Sequence, residues 1–152
     1  MSIPLSNPDI TSKEIKAVTE VLKSPVLCFG SSLDKFEKLG ASYAGRKYAV
    51  AVNSGTSGLH LIVRSLNISK GDEVITPSFN NAADFQAILA TGAEPVLCDI
   101  RKDDLNIDLD DVMKRITDKT KVILPVHYAG KAVDMDRLLK IAEEKDIIID
   151  SK

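Results

Sequence analysis

The chain has 152 residues, with 20 Lys+Arg against 22 Asp+Glu and a formal net charge of -2. It is 44% hydrophobic and 28% charged, with no Trp. That composition can supply a core and excludes a disordered tail, a collagen-like repeat and a cysteine-stapled scaffold.

The near-neutral charge gives no general attraction for nucleic acid. No apolar run reaches the about 18 residues of a membrane span. The opening Met1-Ser2-Ile3-Pro4 has neither the charged region nor the apolar run of a signal peptide, so the cytoplasm is the default location. Cys28 and Cys98 lie far apart and outside any CxxC pair. They are expected as buried or half-buried free thiols.

The hydrophobic period changes repeatedly along the chain. Thr11 and Glu14 have capping-box spacing, and Ile15, Val18 and Leu22 lie beyond them on one helical face. Pro25 to Gly30 reads as irregular chain. A second helix is expected from Ser31, with Leu33, Phe36, Leu39 and Tyr43 as its apolar stripe and Gly45 as its stop. Residues 1–30 thus form a helix and lead-in, and residues 31–152 a larger unit. Tyr48 to Val52 reads as a strand. It runs into Asn53-Ser54-Gly55-Thr56-Ser57-Gly58, after which Leu59, Val63 and Leu66 recur at helix spacing.

Gly71-Asp72 turns the chain into an expected strand, Glu73 to Thr76, stopped by Pro77. Ala82 to Ala90 reads as a helix, Pro95 to Asp99 as a strand, and Leu109, Val112 and Ile116 as a short helix after Asp108. Lys121 to Val126 is the next expected strand. Asp134 caps a helix through Leu138, Ile141 and Ala142, and Ile147 to Ile149 form a last strand ending at Asp150. Strands alternating with helices predict an α/β fold: a mostly parallel sheet with helices on both faces.

Ligands of such sheets sit beyond the carboxyl ends of the strands. Four polar groups fall there: Asn53 to Ser57, Ser78 to Asn81, His127 to Gly130, and Asp150. At the first, Gly55 and Gly58 permit tight turning. Thr56 and Ser57 bring hydroxyls and unpaired N–H groups to a helix start, a natural place for a phosphate. Simple capping of the helix is the other reading of this turn. GTSG is neither a Walker A loop nor a GxGxxG fingerprint, and Ser57 does not fit a nucleophile elbow. Asp150 could pair with a protonated ring nitrogen or cap the next stretch of chain. His127 could meet a ligand, a carboxylate or backbone. His60, between Leu59 and Leu61, reads as structural. No grouping has metal-ligand spacing. Asp103-Asp104 and Asp110-Asp111 read as solvated turns and helix starts.

Taken in order, several segments resemble the DegT/DnrJ/EryC1/StrS family of pyridoxal-phosphate-dependent sugar aminotransferases. They are Phe36-Glu37-Lys38, Lys47 to Thr56, Gly71 to Phe79, Ala93-Glu94-Pro95-Val96, Asn106-Ile107-Asp108, Pro125 to Gly130, and Asp134-Met135-Asp136. The resemblance covers nearly the whole chain. It implies part of a fold-type I aminotransferase large domain. The phosphate of pyridoxal 5'-phosphate is then held by Gly55, Thr56 and Ser57. An aspartate at Asp150, or with no gap at the position of Lys152, holds the ring nitrogen. His127 is a possible ligand-side residue. Asn81 is also implied as a cofactor-binding residue, at the position where the family has an aromatic residue stacked on the cofactor, and Asp84 replaces a small hydroxyl residue.

The family's Schiff-base lysine lies well beyond the ring aspartate, past position 152, so no catalytic residue is assigned. The resemblance further implies a nucleotide-sugar substrate, an amino donor such as glutamate, and a homo-oligomer without nucleic acid or membrane partners. In that reading the isolated chain is inactive. The alternatives are a pyridoxal- or pyridoxamine-phosphate-dependent sugar dehydratase relative and a non-catalytic truncated homologue.

Overall fold

The computed structural model describes residues 7–150. It divides after Ala51 into two compact units. The first holds α1 (Ser12–Leu22) and α2 (Ser31–Tyr43). The expected capping box starts α1: Thr11 accepts from Lys13 N–H, and Glu14 accepts from the Thr11 backbone N–H at 2.7 Å. Hydrogen bonding by Thr11 holds the Glu14 carboxyl below its ordinary pKa. α2 closes at Ala44, and Gly45 comes next with φ of 62°, the left-handed cap its position predicts. No residue of α1 is buried, and Ala41 alone is buried in α2.

The second unit contains α3 (Gly55–Ser65), β1 (Glu73–Pro77), α4 (Ala82–Leu89), β2 (Glu94–Cys98), α5 (Leu109–Arg115), β3 (Thr120–Ile123), α6 (Met135–Lys145) and β4 (Ile148–Ile149). The four strands form one parallel sheet in the order β2-β1-β3-β4. Alternation along the strands divides the core in two. Ile75 and Ile123 face a layer built by Leu109 and Val112 of α5 and Leu138 and Ile141 of α6. Val74, Val122 and Leu124 face Leu59 and Val63 of α3 and Ala87 and Ile88 of α4. Both faces are therefore covered by helices, as the strand–helix alternation predicts.

Three expectations change. Tyr48 to Val52 is extended but joins no sheet among the described residues. Alternating apolar residues favour a strand, but only a neighbour's ladder of hydrogen bonds makes one. Tyr48 and Val50 are both 75% exposed, and Ala51 N–H is taken by the Glu37 carboxylate at 2.9 Å. Next, β3 stops at Ile123 instead of Val126. Leu124 still donates to Ile75 O, but Pro125 has no N–H with which to continue. Finally, Cys28 is exposed, whereas Cys98 is buried, and both are free thiols.

Candidate functional site

The helix start at Ser54 is built from its own side chains. Ser54 Oγ accepts from Ser57 N–H at 3.2 Å, and Ser57 Oγ donates to Asn53 Oδ1 at 2.6 Å. The Ser54 and Ser57 hydroxyls lie 3.0 Å apart. Ser57 is thus engaged in holding the turn. The N–H groups of Gly55 and Thr56 stand in the first turn, where no intrahelical acceptor exists. The Thr56 hydroxyl is exposed and bonds to no described residue. A side chain placed at Gly55 would meet nothing within 4 Å, so the space beside this residue is open. Neither Gly55 nor Gly58 has a positive φ, so tight turning is not what these glycines supply.

Beyond β1 the chain ties itself down. Ser78 N–H donates to Cys98 O at 2.8 Å. Asn80 Nδ2 donates to the buried Thr76 hydroxyl at 3.1 Å, which donates to Leu124 O at 3.1 Å. That chain of bonds joins the ends of β1 and β3. Asn80 Oδ1 accepts from Asn81 N–H, and Asn81 Oδ1 accepts from Ala83 N–H at 2.9 Å. Asn81 is therefore the N-cap of α4. Its carbonyl is spent on the helix, and an amide cannot stack as an aromatic ring would.

The segment after β3 is held by one buried side chain. Asn106 is 2% exposed. Its Nδ2 donates to Lys131 O and Ala132 O at 3.2 and 3.3 Å, and its Oδ1 accepts from Tyr128 N–H at 3.0 Å. Val133 N–H donates to His127 Nδ1 at 3.2 Å. Between them Ala129 has φ of 51° and ψ of 28°, a left-handed conformation unfavourable for a residue with a Cβ. The Tyr128 ring lies 5.2 Å from that of Phe79, so the loops after β1 and β3 meet.

Asp150 comes directly after β4, with its N–H on Ile123 O at 3.1 Å. Its Oδ2 is buried and has no hydrogen-bond partner among the described residues. Burial, and secondarily the charge of Asp84, raise its pKa above the ordinary carboxylate value. Asp84 is itself fully buried on α4. Lys152 lies outside the described residues. His60 is exposed on α3, so it contributes nothing to the core.

The acidic pairs are more than solvated turns. Asp103 meets Arg101 at 2.5 Å, Asp104 meets Lys131 at 3.6 Å, and Asp110 pairs with Arg137. Asp111 lies 2.6 Å from Arg115 and accepts from Asp99 N–H. These bonds, Arg115 first, lower its pKa to about 2. Burial raises the Cys98 thiol to about 12, with Asp111 adding to the effect. Among the described residues no group of His, Cys, Asp and Glu is arranged to hold a metal ion. None of their helices is long and apolar enough to cross a membrane.

Sequence reasoning assigned no role to Thr76 or to Asn106, although the hydrogen bonds of both tie loops together here. Both are polar residues within an apolar run. That pattern is the available signal, because a polar side chain buried there requires hydrogen-bond partners.

The arrangement offers first-turn helix N–H groups, a buried carboxylate oxygen with no partner among the described residues, and a braced histidine loop at one end of a parallel sheet. The spore coat polysaccharide biosynthesis protein SpsC of Bacillus subtilis is 40% identical over 147 residues, 97% of this chain and 38% of that protein. A Streptococcus pneumoniae protein described as a sugar aminotransferase, Spr1654, in its PMP form, superposes with a TM-score of 0.90 at 40% identity. The match covers 95% of this chain and 37% of that one. A GDP-4-keto-6-deoxymannose-3-dehydratase with a trapped PLP-glutamate geminal diamine gives 0.93 at 31% identity, over 99% of this chain and 40% of that one. The chain thus spans well under half the length of these relatives. The model of the DegT/DnrJ/EryC1/StrS aminotransferase family matches residues 8–151, and the chain belongs to that family.

Proposed function

We propose that this chain supplies the phosphate- and ring-binding part of a pyridoxal-phosphate-dependent enzyme that transfers an amino group, with glutamate as donor, to a keto nucleotide-sugar. The observation that carries the reading is the buried Oδ2 of Asp150, which has no partner among the described residues. A carboxylate so placed fits a protonated pyridine nitrogen, which would supply the missing donor as a charge-assisted bond. The free N–H groups of Gly55 and Thr56 and the Thr56 hydroxyl fit the phosphate at the helix start. Ser57 holds that turn in shape. Asn81 does not fit a stacking role and serves by capping α4.

The cofactor supplies an electron sink for the carbon bearing the amine. Asp150 and the turn at Gly55 to Ser57 bind and orient it. In this reading the isolated chain binds the cofactor without completing transamination. The free thiols suit a reducing compartment, in keeping with a cytoplasmic enzyme. Exposed apolar side chains at Val18, Leu22, Phe36 and Leu39 suit a homo-oligomer. Dehydration of a keto-sugar is the second reading, favoured by the close superposition on the dehydratase.

Titration of the 152-residue chain with pyridoxal phosphate, followed by its absorbance, tests the proposal. Saturable binding is expected, weakened about tenfold in Thr56→Ala and in Asp150→Asn. No binding to the unaltered chain overturns the proposal. A borohydride-reduced adduct confined to one lysine would overturn the reading that this chain holds the cofactor without a Schiff-base lysine of its own.

A further inference from the structure

Buried Asn106 belongs to no strand or helix, yet its side chain is committed wholly to the loop after β3. It offers two protons and one carbonyl, and all are used on a segment more than twenty positions away in sequence. Tyr128 is held at one end of the loop and Lys131 and Ala132 at the other. Between them Ala129 sits in the left-handed region, a conformation kept only where the surroundings over-determine it.

The same loop fixes a proton. A backbone N–H can only donate, so the ring atom facing Val133 N–H must be a bare nitrogen. Turning the ring over would put a carbon there. Nδ1 is thus the acceptor, and the proton of the neutral imidazole resides on Nε2. No described residue receives a hydrogen bond from Nε2, and His127 is half-buried at the carboxyl end of the sheet. The Phe79–Tyr128 contact binds this loop to the one that starts α4.

We infer that Asn106 is a positioning residue: by clamping residues 127–133 it presents His127 as a fixed Nε2–H donor to an oxygen of the bound ligand. The inference rests on the proposed function for the identity of that ligand. It does not rest on it for the state of the histidine. Aspartate at position 106 would retain an acceptor for Tyr128 N–H but would turn a charge toward two carbonyls. Alanine would release all three bonds.

The chain has two histidines, so long-range proton–nitrogen spectra of the labelled 152-residue protein are simple to assign with His60→Gln. The unaltered chain is expected to show His127 with Nε2 protonated and Nδ1 bare. In Asn106→Ala both nitrogens are expected to move toward the average of two tautomers, while the amide signals of β1 and β3 stay in place. A tautomer average in the unaltered chain overturns the inference, whether or not the variant folds. So does an unchanged His127 in a folded Asn106→Ala or Asn106→Asp.

Pyridoxal phosphate and UDP-glucose are then the probes. A saturable shift of Nε2 with the first assigns the oxygen to the cofactor. A shift with the second alone assigns it to the sugar. In either case binding is expected to weaken about tenfold in Asn106→Ala. Binding of pyridoxal phosphate with no response of His127 to either probe overturns the ligand role of His127 and leaves the functional proposal standing. Failure of pyridoxal phosphate to bind at all overturns the functional proposal, while the tautomer still decides the role of Asn106.

Discussion

The segment up to Ala51 and the segment after it use the same vocabulary of amphipathic helices and reach different ends. α1 and α2 carry apolar stripes, yet Ile15 is 61% exposed and Phe36 65% exposed. In α6 the equivalent stripe disappears: Leu138 is fully buried against β3 and α5. The difference teaches that periodicity specifies a helix and its face, whereas burial depends on what stands opposite. α1 is held by its capping box, and α6 by roughly 2 kcal/mol per buried apolar side chain.

Thiol labelling gives the widest contrast between the two segments. Cys28 is exposed and is expected to react with a disulfide reagent at once. Cys98 is buried with its thiol raised to about 12, so it should react only through opening of the second unit, at least about a thousandfold more slowly. Equal rates at both sites would show that the second unit lacks a stable core.

Truncation of the two stripes comes next. Leu138→Ala is expected to cost about 2–5 kcal/mol in denaturant unfolding. Ile15→Ala on exposed α1 should change stability by about 0.5 kcal/mol or less. Similar losses for both would mean that α1 is buried in solution.

The smallest effect, about 1 kcal/mol or less after solvent screening, concerns pH within the second unit. The Asp111 pKa is lowered in the folded state, so its contribution is present above the ordinary carboxylate value and is lost as pH falls toward about 2. Asp111→Asn should flatten that acid limb. Asp150 has the opposite sign: its raised pKa makes folding bind a proton more tightly, so stability declines as pH rises through the folded value. Asp150→Asn should therefore stabilise the ligand-free chain near neutral pH and make little difference in acid. A destabilised Asp150→Asn variant at neutral pH would show that the carboxylate has a partner in solution.

Much of the second unit was legible because its signals are local. Asp108 and Asp134 cap the helices directly after them, and the apolar run of β1 ends at Pro77. The strand expected at Tyr48–Val52 failed because pairing is not a local property. At the candidate site, the helix start after Ser54 could be read from its glycines and hydroxyls. Asn81 could also have been read as a cap, with Asp84 three positions later in the first turn of α4. The missing aromatic ring at that position obscured the simpler role. The partners of Asn106 at 128, 131 and 132 were beyond reach, because they are set by tertiary folding.

Pro77 and Pro125 have a consequence for the lengths of the central strands. Both are buried where β1 and β3 run out, and neither can lend a proton to a neighbouring strand. The two central strands are thus cut to length by covalent structure instead of by competition with water. Lengthening or shortening the loops beyond them would leave the strand ends in place, so the loops can vary in sequence while the two central strands keep their length.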